Sequence, residues 1–164
     1  MFKHMTAAVA GLILCGLGSS ALGADAPPTP PAKVGTLTFV GSKSGRGWFY
    51  VSQTLKRQGD GADFWMVMAQ PNPVNVEGHM VIGAWMHEKA DCKARTLSDD
   101  LLITIDDKYA QATRDDRVFP AETVVAGSLG QERLDLACSG KTPGSGGPMV
   151  KGLEGAHAFV KEKL

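Results

Sequence analysis

Between Val34 and Asp106 the apolar positions recur with a period of two, and in places both phases of the alternation are apolar. Phe64, Met66 and Met68 fall on one face of a strand, with Trp65 and Val67 on the other. Met80, Ile82 and Met86 likewise oppose Val81, Trp85 and His87. A half-solvated antiparallel strand shows one polar face, so two apolar faces predict a central hairpin covered on both sides.

Runs rich in β-branched and aromatic residues predict strands at Thr36 to Val40, Trp48 to Ser52, Asp63 to Ala69, Met80 to Glu88, Lys93 to Thr96 and Leu101 to Asp106. Arg117 to Phe119 is a further candidate. Gly59-Asp60-Gly61 supplies a hairpin turn between the second and third runs. Helical signals are few. Ser128, with Gln131 three residues on, has the form of a capping box, Gly140 offers a stop, and Leu129, Leu136 and Ala137 line one side of the intervening segment. Met149, Leu153, Ala156 and Val160 form a second stripe, weakened by Gly152 and Gly155. Residues 149–164 thus stay open between an amphipathic helix and a frayed tail.

The first 23 residues read as an export signal: Lys3 gives the positive start, Ala7 to Gly18 the apolar run, and Ala21-Leu22-Gly23 a small-x-small site. The apolar run is too short for a membrane-spanning helix. Of three cysteines, Cys15 falls in this leader, where Leu14 is too large for a lipid-attachment box. Cys92 and Cys138 remain as an even pair, and an oxidising compartment predicts a disulfide between them. The fold class expected is therefore α+β: a small antiparallel sheet of about six strands with a disulfide-tethered C-terminal helix. Around it, 24–33 reads as a proline-rich linker, 34–140 as the domain, 141–148 as a Gly/Pro linker and 149–164 as the tail.

Lysine plus arginine and aspartate plus glutamate number 17 each. Loss of Lys3 with the leader barely alters that balance, which carries no electrostatic footprint for nucleic acid. Gly41 to Gly47 has the glycines of a phosphate cradle but not the P-loop spacing, and reads as a mobile hairpin loop. His87-Glu88-Lys89-Ala90-Asp91 lacks the second histidine of a zinc-protease helix. His79, Met80, Met86 and His87 are ligand types that suit copper, yet strand alternation splits them between two faces. No G-x-S-x-G or S-x-x-K signature occurs, although a triad around His79, His87 or His157 could assemble from distant positions. Arg114-Asp115-Asp116-Arg117 reads as a charged loop after the sixth strand. Arg114 and Arg117, with Trp48 and Tyr50 on one strand face, are the candidate partner-binding residues. No cofactor is implied.

Several short motifs between Gly47 and Cys138 resemble the surface-adhesin protein E family of bacterial envelope proteins: Trp48-Phe49-Tyr50-Val51, the Leu55 to Gly61 turn, Phe64-Trp65-Met66-Val67, Asp91-Cys92, the Tyr109 region, and Gly127-Ser128 before a helix ending in Cys138. Ser52 stands where that family tends to have an aspartate, Ala126 where a proline often precedes the glycine-serine pair, and Asn72 to Lys89 has the look of an insertion holding an extra strand. The resemblance implies an adhesin E-like domain over 34–140, no enzyme activity, and binding of host or envelope proteins. The expectation is an exported, periplasmic or cell-surface binding module for a protein partner. A periplasmic copper-binding protein or a small hydrolase are the alternatives, and a homodimer stays open.

Overall fold

The computed structural model describes residues 27–139 and 147–164. The leader with Cys15, and the part of the second linker from Lys141 to Gly146, lie outside the described residues. Among those described, nine strands form one sheet: β1 (Thr36–Lys43), β2 (Arg46–Tyr50), β3 (Lys56–Gln58), β4 (Gly61–Val76), β5 (His79–Asp91), β6 (Thr96–Asp106), β7 (Gln111–Asp115), β8 (Glu122–Thr123) and β9 (Met149–Lys151). Two helices accompany it, α1 (Leu129–Ser139) and α2 (Gly152–Lys163). The order across the sheet is β7-β6-β5-β4-β2-β1-β9, with β3 on β4 and β8 on β6, and every pairing is antiparallel. The α+β class stands. The sheet exceeds the expected six strands because β3, β7 and β8 are short and mostly polar and β9 spans three residues, so none shows an alternating apolar signature.

The double-faced hairpin is β4–β5, closed by the turn Glu77-Gly78 with both residues at positive φ. Its long arm runs through Pro71 and Pro73 where the pairing register shifts between Ala69 and Val74, a bulge that spares the ladder two missing amide donors. The expected insertion over 72–89 is thus the tip and return arm of this hairpin. The alternation holds on β4: Phe64 and Met66 pack in one buried cluster, Trp65 and Val67 in the other. On β5 it breaks. A register shift between Val81 and Gly83 places Ile82 with Trp85, not with Met86 as simple alternation predicts.

Three other expectations change. Thr96–Asp106 is one strand, Lys93 to Arg95 belonging to the turn before it. Arg117 to Phe119 is not a strand; Gln111–Asp115 is, so Arg114 and Asp115 lie on β7 opposite Ile103 and Leu102. The loop at 41–47 is a tight turn, with Ser44 and Gly45 at positive φ and Lys43 paired to Arg46.

Each sheet face is covered by one helix. Over the Trp65 face, α2 lays down Ala156 and Val160, both fully buried, and Phe159 packs against Phe39 and Phe49 with ring centroids 4.9 and 5.9 Å apart. The terminal segment is therefore a docked helix. Met149 leaves its expected stripe, lying exposed on β9. Over the Phe64 face, α1 buries Leu134, Leu136 and Ala137. Glycines let both helices close in, since a Cβ on Gly41 would sit 2.8 Å from Leu129 Cδ1 and one on Gly47 2.8 Å from Val160 Cγ2. Among the described residues no helix is long and apolar enough to cross a membrane.

Candidate functional site

An open cleft of about 630 Å³ lies on the Phe64 face, beside the N-terminal half of α1. Helix α1 is held at both ends. Ser128 Oγ accepts the Gln131 amide proton at 3.2 Å, the forward half of the capping box. The reciprocal half is absent: the Gln131 side chain donates to Asp135 and accepts from Arg95, both charged, and the Ser128 amide donates to Val125 O. At the other end Cys138 is joined to Cys92, 46 residues away. Arg57 from β3 donates to the carbonyls of Ala137 and Leu136, satisfying groups a helix terminus leaves free.

The opposite wall is the segment from Phe119 to Val125, which β6 holds in place. The Phe119 amide donates to Asp99 O, Glu122 and Thr123 pair with Leu97 and Thr96, and the Val124 amide donates to Arg95 O. Phe119 and Val125 are exposed along this wall, apolar side chains open to solvent beside the cleft. Trp48 and Leu129 complete the apolar lining, and Lys43, Asp99, Glu122 and Arg133 supply its charges.

Charge is concentrated at the inner end. Glu88 on β5 and Asp99 on β6 are directly opposed in register, which puts their side chains on one face. Glu88 is fully buried, yet among the described residues only Arg133 of α1 pairs with its side chain, Nη1 to Oε1. Glu88 Oε2 and Arg133 Nε are buried, and no described residue gives either a hydrogen-bond partner. Burial disfavours the charged carboxylate and outweighs the Arg133 guanidinium, so the Glu88 carboxyl is pushed up from 4.5 to about 7, with Asp99 adding to the rise. Asp99 is raised too, by burial first, against the pull of Arg133 and with the push of Asp100 and Glu122.

On the other face Asp100, the extra residue where the β5–β6 register shifts, meets His87 Nδ1 at 2.6 Å and Lys89 Nζ at 2.7 Å. Burial would raise Asp100, but the hydrogen bonds from Lys89 and His87 hold it below the usual carboxylate range.

Of the residues singled out from sequence, Cys92 and Cys138 are bonded and Trp48 lines the cleft. Tyr50 is buried against Phe64, rings 6.0 Å apart, and offers no surface. Arg114 pairs with Asp116 and Arg117 with Asp115; neither arginine lines the cleft. The copper candidates do not converge. His79 and His87 stand eight residues apart on β5, about 26 Å by strand rise, Met86 is core and Met80 is exposed. His157 Nδ1 lies 3.3 Å from Tyr109 OH. Glu88, Asp99, Arg133 and Phe119 were missed. Arg133 carried a signal: four residues after Leu129 and three before Leu136, it sits in the middle of the apolar stripe of α1.

No family model and no curated protein matches the chain. Among solved structures it is similar to protein E from non-typeable Haemophilus influenzae, at 9% identity and a TM-score of 0.46, covering 85% of this chain and 95% of that one. At that distance the likeness assigns no residue a role.

Proposed function

We propose that this chain is an exported, non-enzymatic binding module of the bacterial envelope, adhesin-like in use, whose cleft takes a segment of a protein partner. The observation that carries the reading is the cleft itself: its walls are a disulfide-tethered helix and a strand-anchored segment, and that segment leaves Phe119 and Val125 open to solvent. A rigid rim of exposed apolar side chains suits protein recognition. The leader pattern and the resemblance to envelope binders support the location, with which the disulfide is compatible.

The test is capture of envelope and extracellular-matrix proteins on the immobilised mature chain, beside a Phe119→Ser, Val125→Ser variant. These side chains lie at the surface, so the variant keeps its thermal transition. A partner retained by the parent and lost by the variant supports the reading; equal retention by both contradicts it.

A further inference from the structure

The cleft is not electrically uniform. Lys43 lies on β1 and Glu122 on β8 beside β6, so the lining spans five strand spacings, about 24 Å across the sheet. At the β6 end Asp99, Glu122 and Arg133 line the cleft, and Glu88, cross-strand from Asp99, is buried behind it and paired with Arg133. Arg133 is engaged by Glu88, and among the described residues no ion pair reaches Asp99 or Glu122. A second observation points the same way, since the fully buried Glu88 keeps one oxygen without a donor among the described residues, behind that end of the cleft. An arriving anion would meet the carboxylates of Asp99 and Glu122; an arriving cation would meet acceptors that no ion pair among the described residues occupies.

The apolar lining adds a second requirement. Leu97, Val124 and Leu129 line the cleft beside Trp48 and Phe119, a surface that favours an aliphatic stem and, at the ring faces, a cation. A bare polyvalent amine satisfies only the charge. We infer that the β6 end of the cleft receives the ammonium or guanidinium of a lysine or arginine carried on an otherwise apolar segment of the partner protein. This assignment rests on the binding-module reading and names the chemistry that reading leaves open.

The experiment titrates the isotope-labelled mature chain with two pentapeptides, acetyl-Leu-Val-Arg-Val-Leu-amide and its twin carrying citrulline, a neutral isostere, in place of arginine. Amide shifts at Ser98, Asp99 and Gly130 report the site. A charge-assisted hydrogen bond predicts that the arginine peptide binds about tenfold more tightly. Asp99→Asn, nearly isosteric, narrows the ratio to roughly threefold or less by removing one acceptor charge. Glu122→Gln, on an exposed strand, gives a parallel narrowing that does not depend on how the Asp99 variant folds.

Equal binding of both peptides at the cleft, or preference for citrulline, overturns the charge assignment and leaves the binding-module reading standing. Spermidine matching the arginine peptide in affinity overturns the apolar-segment part. Shifts absent from the cleft with both peptides overturn the assignment and the reading together.

Discussion

The two faces of the sheet are closed by different means. Under α2 the contact is mainly hydrocarbon and aromatic, with one polar pair, His157 and Tyr109: Phe39, Phe49 and Phe159 meet one another, and Leu37, Ala156 and Val160 are sealed from water. Nothing covalent holds that helix. Under α1 the packing is partly ionic, with Glu88 and Arg133 beneath the helix, an open cleft at its flank and a disulfide at its end. A hydrophobic face needs no tether because each buried side chain contributes on the order of 2 kcal/mol. A face that buries a charged pair gains little from it, the desolvation cost offsetting the attraction. The difference teaches where binding can be hosted: the α2 face is filled, and the α1 face is held open by other means.

The sharpest way to break this contrast is to end the chain at Lys151. Removal of α2 uncovers Phe39 and Phe49, and the truncated chain is expected to lose its cooperative thermal transition and to bind a hydrophobic dye. A transition within a few degrees of the parent would show that α2 is dispensable.

Next in size is the tether. Cys92→Ser with Cys138→Ser frees a loop closed over 46 positions, and denaturant unfolding is expected to show a loss of about 4 kcal/mol on the chain-entropy model. The loss falls on α1, so amide exchange should quicken there while α2 keeps its protection.

A smaller effect separates the faces by pH. Glu88 has a folded pKa near 7, above its unfolded value of 4.5, so the native state binds the extra proton. Its contribution is full below about pH 4.5 and is lost as pH rises through 7, amounting to roughly 3 kcal/mol between those limits. Asp99, raised in the same direction, adds to the fall. Asp100, on the other face, is lowered, so its contribution is present above about pH 4 and disappears in acid. Stability measured from pH 5 to pH 8 should therefore decline, and Glu88→Gln should flatten most of the decline. An unchanged slope in that variant would remove Glu88 as its source.

The sequence spoke clearly wherever burial shows as a repeat. The doubly apolar β4, the helix capped by Ser128 and the pairing of Cys92 with Cys138 were all legible. It was silent where a polar residue is buried against a partner far along the chain. Asp99 and Asp100 read as a break between two strands, and the structure keeps them inside β6 because Arg133 faces one and His87 with Lys89 meets the other. Ile82 was misplaced for a similar reason: the bulge that shifts its face is set by the neighbouring strand, which alternation along one strand cannot register. The cleft wall was hidden as well, since Phe119 to Val125 carries no period and is ordered by backbone bonds to β6 and the turn before it.

The central claim, that the α1 face binds and the α2 face only supports, is tested most directly by site-specific photocrosslinking in intact cells. A benzoyl-phenylalanine replaces Phe119 at the cleft or Lys161 on the exposed side of α2. The account predicts a discrete protein adduct from position 119 and none from position 161. An adduct from position 161 alone would contradict it.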